Sequence, residues 1–369
     1  MSEGSVRPGE GSPSRQAVVV AVDANGADLG PAEVAAGALL AAEQGARVLL
    51  FGPVREMELS SSLPTGVEVV DAPVSIAKSA DPVQAARGTP ESSIVQAARA
   101  VAQGRAHALV CAGGTGAAVA AGLFNIRRGR GIHRPALALP LPVPSRAGGH
   151  LVILLDVGAS AQARKEHLVQ FAFMGAALAQ VVLGVARPRV GVLSNGEEAE
   201  RGSALVVAAR AELEERVQAH GWLELVGNVE GGDVTTGVAD VIVTDGFTGN
   251  VALKLMEGVS QTMLGAVRAA AMSSPRAKLG GLLLRPSLQG FREEIDPEGH
   301  GGAFLLGLRS LGVVPHGRFT RRGFAQAILR ARKGASEDLV GRTHAALEQA
   351  GALKLAPASV RASSLRQEE

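Results

Sequence analysis

The chain has 369 residues, 46% of them hydrophobic, enough to bury one large core or two smaller ones, which excludes disorder over most of its length. A net charge of +2, one Trp, no Tyr and nine Phe supply neither a field nor a stacking platform for nucleic acid, which is set aside as a partner. The single cysteine, Cys111, excludes an internal disulfide and a cysteine-rich zinc site and fits a reducing cytoplasm.

In chain order, residues 1–16 are polar, rich in Ser, Gly and Pro, and read as a disordered tail with no signal-peptide run. Ala17 to Val22 is a short apolar strand closed by Asp23, Asn25, Gly26, Asp28 and Gly30, and Pro31 stands where a first helical turn begins. Arg47 to Phe51 and Val67 to Val70 read as strands, and Glu91 to Gln103 as a helix opened by Ser92 and Ser93. Ala108 to Cys111 is again a strand, followed by the turn Gly113, Gly114, Thr115, Gly116 and a small-residue helix. Leu151 to Ser160, with Asp156 and Gly158 in its turn, precedes a helix from Glu166 to Val182.

The same unit recurs most sharply at Asp240 to Lys254, where Val241 to Thr244 run into Asp245, Gly246, Phe247, Thr248, Gly249 and Asn250 and then into a helix. Phe324 to Leu353 has helical periodicity, and residues 356–369 read as a solvated tail. No linker divides residues 17–355, so we expect a single α/β body. Short apolar runs alternating with helices imply a mostly parallel sheet covered by helices on both faces. Ligands bind outside the carboxyl ends of such strands, so the Asp- and Gly-rich turns are expected to line one cleft. At a helix start, free N–H groups and the positive end of the dipole suit an anion, although a plain strand-to-helix turn needs the same glycines. None of the turns carries a P-loop or a full GxGxxG, which weakens ATPase and dehydrogenase readings.

Five collinear stretches, VDANGAD, CAGGTGA with IHRPALALPLP, LLDVGAS with EHLVQFAFMG, GNVEGGDV with ADVIVTDGFTGNVALK, and GGAFLLGL with PHG, resemble the bacterial phosphate acyltransferases of phospholipid synthesis. The resemblance implies a three-layer α/β/α sandwich akin to phosphotransacetylases and isopropylmalate dehydrogenases, a homodimer, and peripheral attachment to the inner face of the cell membrane. It also implies the reaction of a long-chain acyl-ACP (acyl carrier protein) with inorganic phosphate to give acyl phosphate.

Such a transfer needs no protein nucleophile, because phosphate itself attacks the thioester; the enzyme must hold an anion and stabilise an oxyanion. On this reading Asp23, Gly26, Asp28, Gly113, Gly114, Thr115, Gly116, Asp156, Gly158, Asp245, Gly246, Thr248, Gly249 and His316 are candidate substrate- and phosphate-binding residues. The resemblance points to Asn250 at the reacting centre, and to Arg201 at a position where the family carries lysine. No cofactor and no metal site is expected, since no His and carboxylate cluster has ligand spacing. His167 and His316 are the histidines considered as proton donors, and Cys111 reads as a small core residue.

Several positions depart from the family pattern. Asn25 and Ala27 alter the first turn, Gly114 replaces an Asn, and residues 158–162 read GASAQ where the family has GANVD. Arg201 keeps a charge but does not readily release a proton, and Arg318 and Phe319 replace two hydroxyls. Three classes therefore stay open: an acyl-ACP:phosphate transacylase, a transacylase using another thioester such as acyl-CoA, and a non-catalytic homologue binding carrier or membrane. Arg127, Arg128, Arg130 and Arg134 form a basic patch suited to an acidic carrier protein, with a solvated loop as the plain alternative. A helical hairpin at about residues 260–295 presents Leu279, Leu282, Leu283 and Leu284 among Arg276, Lys278 and Arg285. It is too short to span a bilayer and suited to an interface, while a dimer contact or a core cap would use the same leucines.

Overall fold

The computed structural model describes residues 17–143, 150–294 and 296–354; both expected tails lie outside them. Strands β1 (Val19–Asp23), β2 (Arg47–Gly52), β3 (Val67–Asp71) and β4 (Ala108–Cys111) alternate with helices α1 (Pro31–Glu43), α2 (Pro82–Gly88), α3 (Ser93–Ala102) and α4 (Thr115–Ala121). Then come β5 (Ala136–Pro142), β6 (Leu151–Leu155), α5 (Lys165–Val182), β7 (Arg189–Ser194), α6 (Ala204–His220), β8 (Glu224–Glu230) and β9 (Val241–Val243). The chain closes with α7 (Gly246–Met272), α8 (Pro275–Glu294), β10 (Ala303–Leu306), β11 (Leu311–Val314), α9 (Arg321–Ser336) and α10 (Leu339–Gln349).

The eleven strands form one sheet in the order β3-β2-β1-β4-β11-β10-β5-β6-β9-β7-β8. Pairing is parallel from β3 to β11 and again from β6 to β8, but β11–β10, β10–β5 and β5–β6 are antiparallel. Three reversals in succession leave the two halves running in opposite directions. The carboxyl ends of β1 and β4 therefore lie at one sheet edge and those of β6 and β9 at the other, so turns that line one cleft reach it from opposite edges. A cleft between them has to cross the sheet's face.

Alternation sets the two faces. Val20, Val22, Ile153 and Leu155 are buried with residues of α1, α5 and α9, whereas Ala21, Val152, Leu154 and Leu137 pack with α3 and α4, giving three layers. On the second face helices cover the flanks and leave β5 partly bare: Leu137 is buried, but Leu139 and Leu141 are only half-buried. Beyond Ala138, β5 has β6 alone beside it, so Pro140 and Pro142 sit where a missing N–H breaks no ladder.

The C-terminal periodicity belongs to two helices, because Asp338 takes φ +51° between them and its side chain caps α10 through the Gly341 N–H. The hairpin also differs from expectation. Its first arm, α7, is continuous from the cleft for 27 residues, about 40 Å, and Gly258 and Gly265 do not break it. Phe247, Val251, Leu255, Val259, Met263 and Val267 lie at four-residue spacing along it, each 48–65% exposed. On α8, Leu279, Leu282, Leu283 and Leu284 are 58–75% exposed. No helix among the described residues is long and apolar enough to cross a membrane.

Candidate active site

A cleft of about 1550 Å³ lies across the bare part of the sheet. Its floor is β5, with Leu137, Leu139 and Leu141, and Leu253, Met256 and Leu264 of α7 form an apolar wall. Polar groups line both sides: Gly26, Asp28, Lys78, Gly113, Gly114, Thr115 and His316 from the first half of the sheet, and Asn250, Lys254, Glu257, Ser260 and Gln261 from α7. The cleft thus has an apolar floor between walls that carry polar groups.

The first and third turns are built on a buried network. Asp23 is 1% exposed; its Oδ1 accepts the Asn25 N–H at 3.1 Å and its Oδ2 accepts the Cys111 thiol at 3.5 Å. The Asn25 amide donates to the Ala72 carbonyl and to Ser93 Oγ, both at 3.0 Å. Burial pushes the Asp23 carboxyl up to about 6. Burial, with the Asp23 charge beside it, also drives the Cys111 thiol well above its ordinary range, so Cys111 is not a ready nucleophile. Gly26, at φ +110°, would place a Cβ 2.4 Å from Ala77 Cβ, and a Cβ on Gly114 would meet the Ala77 carbonyl at 2.4 Å. These glycines seat the segment that ends in Lys78. Lys78 is exposed on the cleft wall with no carboxylate partner among the described residues, whereas Lys254 faces Glu257 at 2.9 Å and Arg322 faces Asp296 at 3.5 Å. The N–H groups of Thr115, Gly116 and Ala117 open α4 without an acceptor among the described residues.

At the other wall the sequence expectation needs correction. Residues 246–250 are the first turn of α7 rather than a loop, and the donors of that turn are already used. Gly246 N–H donates to the Ser160 carbonyl, Phe247 and Thr248 N–H to Asp245 Oδ1, and Gly249 N–H to the Asp245 carbonyl. This helix start is sealed by its own cap, which leaves no backbone cradle for an anion. Asp156 is likewise turned inward: fully buried, it accepts N–H groups from Leu137, Gly158 and Ala159 on Oδ1 and from Ser160 on Oδ2, at 2.8–3.1 Å. Burial raises its pKa in spite of these bonds. Gly246 and Gly249 allow α7 to press against it, since a Cβ on Gly249 would stand 2.0 Å from the Asp156 carbonyl oxygen. What the turn presents to the cleft is the Asn250 side chain, which has no protein partner among the described residues.

Of the predicted residues, then, Gly26, Asp28, Gly113, Gly114, Thr115, Asn250 and His316 come together on the cleft wall. Asp23, Asp156, Gly158, Asp245, Gly246 and Gly249 lie off it, buried or half-buried, and Gly116 and Thr248 stand beside it, exposed. Arg201 is off the wall, exposed and 3.4 Å from Glu198. His167 caps α5 by accepting the Arg164 N–H and also stands away from the cleft. His316 accepts the Arg318 N–H on Nδ1 at 3.2 Å, and burial lowers its pKa, which keeps the ring neutral near pH 7. No group of three or more His, Cys, Asp or Glu among the described residues is placed to hold a metal ion. Sequence reasoning missed Lys78, a lone lysine in a polar stretch, and the β5 floor, hidden by its prolines.

A family model described as "Fatty acid synthesis protein" matches residues 18–342. A phosphate acyltransferase from Geobacillus sp. (strain WCH70) is 39% identical over 332 residues, covering 89% of this chain and 98% of its own. The chain belongs to the phosphate acyltransferase family. Another relative, from Levilactobacillus brevis, is 42% identical over 301 residues, covering 81% of this chain and 86% of its own. As a member of this family the chain is an enzyme of the acyltransferase class. Its fold matches a phosphotransacetylase from Streptococcus pyogenes at a TM-score of 0.58 and 16% identity, covering 87% of this chain and 94% of that one. The EutD phosphotransacetylase from Staphylococcus aureus matches at 0.55 and 17%, covering 87% and 95%.

Proposed function

We propose that this acyltransferase moves a fatty acyl group from an acyl-ACP thioester to inorganic phosphate, giving acyl phosphate for phospholipid synthesis. The observation that carries this reading is a single cleft whose apolar floor on β5, with apolar residues of α7, lies between Lys78 and free backbone donors on one side and Asn250 on the other. A long hydrocarbon chain and a small anion are the two things such a cleft suits.

In this reading Lys78 and the N–H groups opening α4 hold phosphate beside the thioester. A phosphate oxygen attacks the carbonyl carbon, the Asn250 amide donates to the developing oxyanion, and collapse breaks the C–S bond. The proton lost by the phosphate ends on the departing sulfur. His316, neutral and with Nδ1 taken by the Arg318 N–H, offers its Nε2–H to hydrogen-bond the departing sulfur. Asp23 and Asp156 hold the two walls, and Gly26, Gly113 and Gly249 let those walls close.

The reading also places the protein in the cytoplasm as a homodimer, peripherally attached to the inner face of the membrane. In its support, the apolar line on α7 and Leu279, Leu282, Leu283 and Leu284 on α8 stand exposed without partners in the single chain, as contact surfaces do. The test is formation of acyl phosphate from palmitoyl-ACP and phosphate, with palmitoyl-CoA in parallel. Turnover with palmitoyl-ACP is expected; turnover with palmitoyl-CoA alone would move the donor assignment, and silence with both would reject the reading.

A further inference from the structure

A second cavity, of about 1000 Å³, opens beside the end of the α4 helical stretch. Arg127, Arg128, Arg130, Arg309 and Lys354 line it, with Glu348 as its one carboxylate. All five cations are exposed, and none has a carboxylate within ion-pair distance among the described residues. The chain as a whole carries 37 Lys and Arg against 35 Asp and Glu, so this concentration is a segregation of charge and not a reflection of a basic composition. The fold assembles it from three distant stretches: the bridge between Arg128 and Leu308 brings Arg309 beside Arg127, and the Lys354 N–H donates to the Gly131 carbonyl at 2.8 Å.

We infer that this basic cavity is the docking surface for the acidic carrier protein that delivers the acyl thioester, an inference that rests on the proposed function. Three observations favour that occupant. The cavity carries five exposed cations against one carboxylate, the charge that an acidic protein face complements. The half-buried Leu123 and Phe124 add apolar contact to the cavity lining, as protein interfaces require, while Phe124 lies under the Arg87 guanidinium and offers no free ring for a base. Position supplies the third. Thr115 on the cleft wall and Leu123 in the cavity are eight residues apart on one helical stretch, about 12 Å, so a thioester on a flexible arm reaches the cleft from a carrier docked there.

The experiment uses Arg128→Glu/Arg130→Glu and, separately, Arg309→Glu, with Arg55→Glu as a charge-matched control elsewhere on the surface. Palmitoyl-ACP is titrated by equilibrium binding and in the thiol-release assay at two salt concentrations. Both cavity variants are expected to weaken carrier binding and raise its KM about tenfold at low salt, with a smaller difference at high salt and with kcat and the KM for phosphate unchanged. Wild-type carrier affinity in both cavity variants would overturn the inference, as would an equal loss in the Arg55 control. Lost binding to vesicles of anionic lipid with an unaltered carrier KM would overturn it too and identify a lipid contact. If the wild type binds carrier without turnover, the functional reading falls while the binding arm still decides the docking surface.

Discussion

Gly249→Ala tests how tightly the position of Asn250 is set. The added Cβ would stand 2.0 Å from the Asp156 carbonyl oxygen, 2.8 Å from Thr244 Cγ2 and 3.0 Å from the Asp156 carbonyl carbon. Two of these three atoms are backbone, in a segment tied down by four N–H bonds to the Asp156 carboxylate, so neither can yield like a side-chain tip. Restoring an ordinary carbon-to-oxygen contact of about 3.3 Å requires a shift of roughly 1.3 Å, and the start of α7 is what moves. Asn250, the next residue, moves with it. A displacement of that size at a reacting centre costs about 100-fold in rate, and overpacking of this kind costs about 1–3 kcal/mol of stability. The assay is thiol release from palmitoyl-ACP with saturating phosphate, alongside thermal melting by circular dichroism. We expect kcat to fall about 100-fold with the donor KM little changed and the melting temperature lowered by a few degrees. Gly258→Ala is the control on the same helix, where a Cβ meets nothing within 4 Å; it should be active and as stable as wild type or more so. A Gly249→Ala enzyme with wild-type kcat and melting temperature would refute the argument.

Lys78→Ala should raise the KM for phosphate about tenfold and Lys78→Arg should recover most of the loss, read from initial rates against phosphate concentration; an unchanged KM removes Lys78 from the phosphate seat. Asp23 is raised from 3.8 to about 6 by burial, so the folded state holds the proton more tightly than the unfolded chain. Its contribution to stability is therefore full below about pH 4 and lost as pH rises through about 6, and Asp23→Asn should flatten that part of the stability profile in denaturant titrations at each pH. Leu283→Asp/Leu284→Asp, at side chains 75% and 58% exposed, should abolish co-sedimentation with anionic vesicles and leave turnover in solution unchanged. Retained sedimentation would take the membrane contact elsewhere.

Much of the fold was legible because its signals are local. The apolar run at residues 108–111 and the helix near residues 166–182 appear within a residue of their expected bounds, since periodicity and flanking glycines act within a few residues. The reversal of direction at β5, β10 and β11 was not legible, because pairing partners far apart in sequence decide it. Strand β5 also carries two prolines that argue against a central strand until one sees that β10 stops short of them. At the site, the residue types of the turns were read correctly as those of strand-to-helix junctions, but Asp23 and Asp156 point inward to satisfy backbone donors and Asp245 caps its own helix. From sequence, an aspartate that binds a ligand and one that caps a loop look alike. Lys78 reached the cleft only because Ala77 fits against Gly26 and Gly114, a contact no local pattern encodes.

The unbroken course of α7 makes it a spacer. Asn250 and Met272 are 22 residues apart on one helix, a separation of about 33 Å, slightly more than the hydrocarbon thickness of a bilayer. On the proposed function, with the helix upright on its tip, the Asn250 amide would stand that far above the surface the tip rests on, with headroom for a small folded carrier to pass beneath. With the helix laid flat that headroom vanishes. On that reading, the inclination of a single helix would set how much room a carrier has to approach.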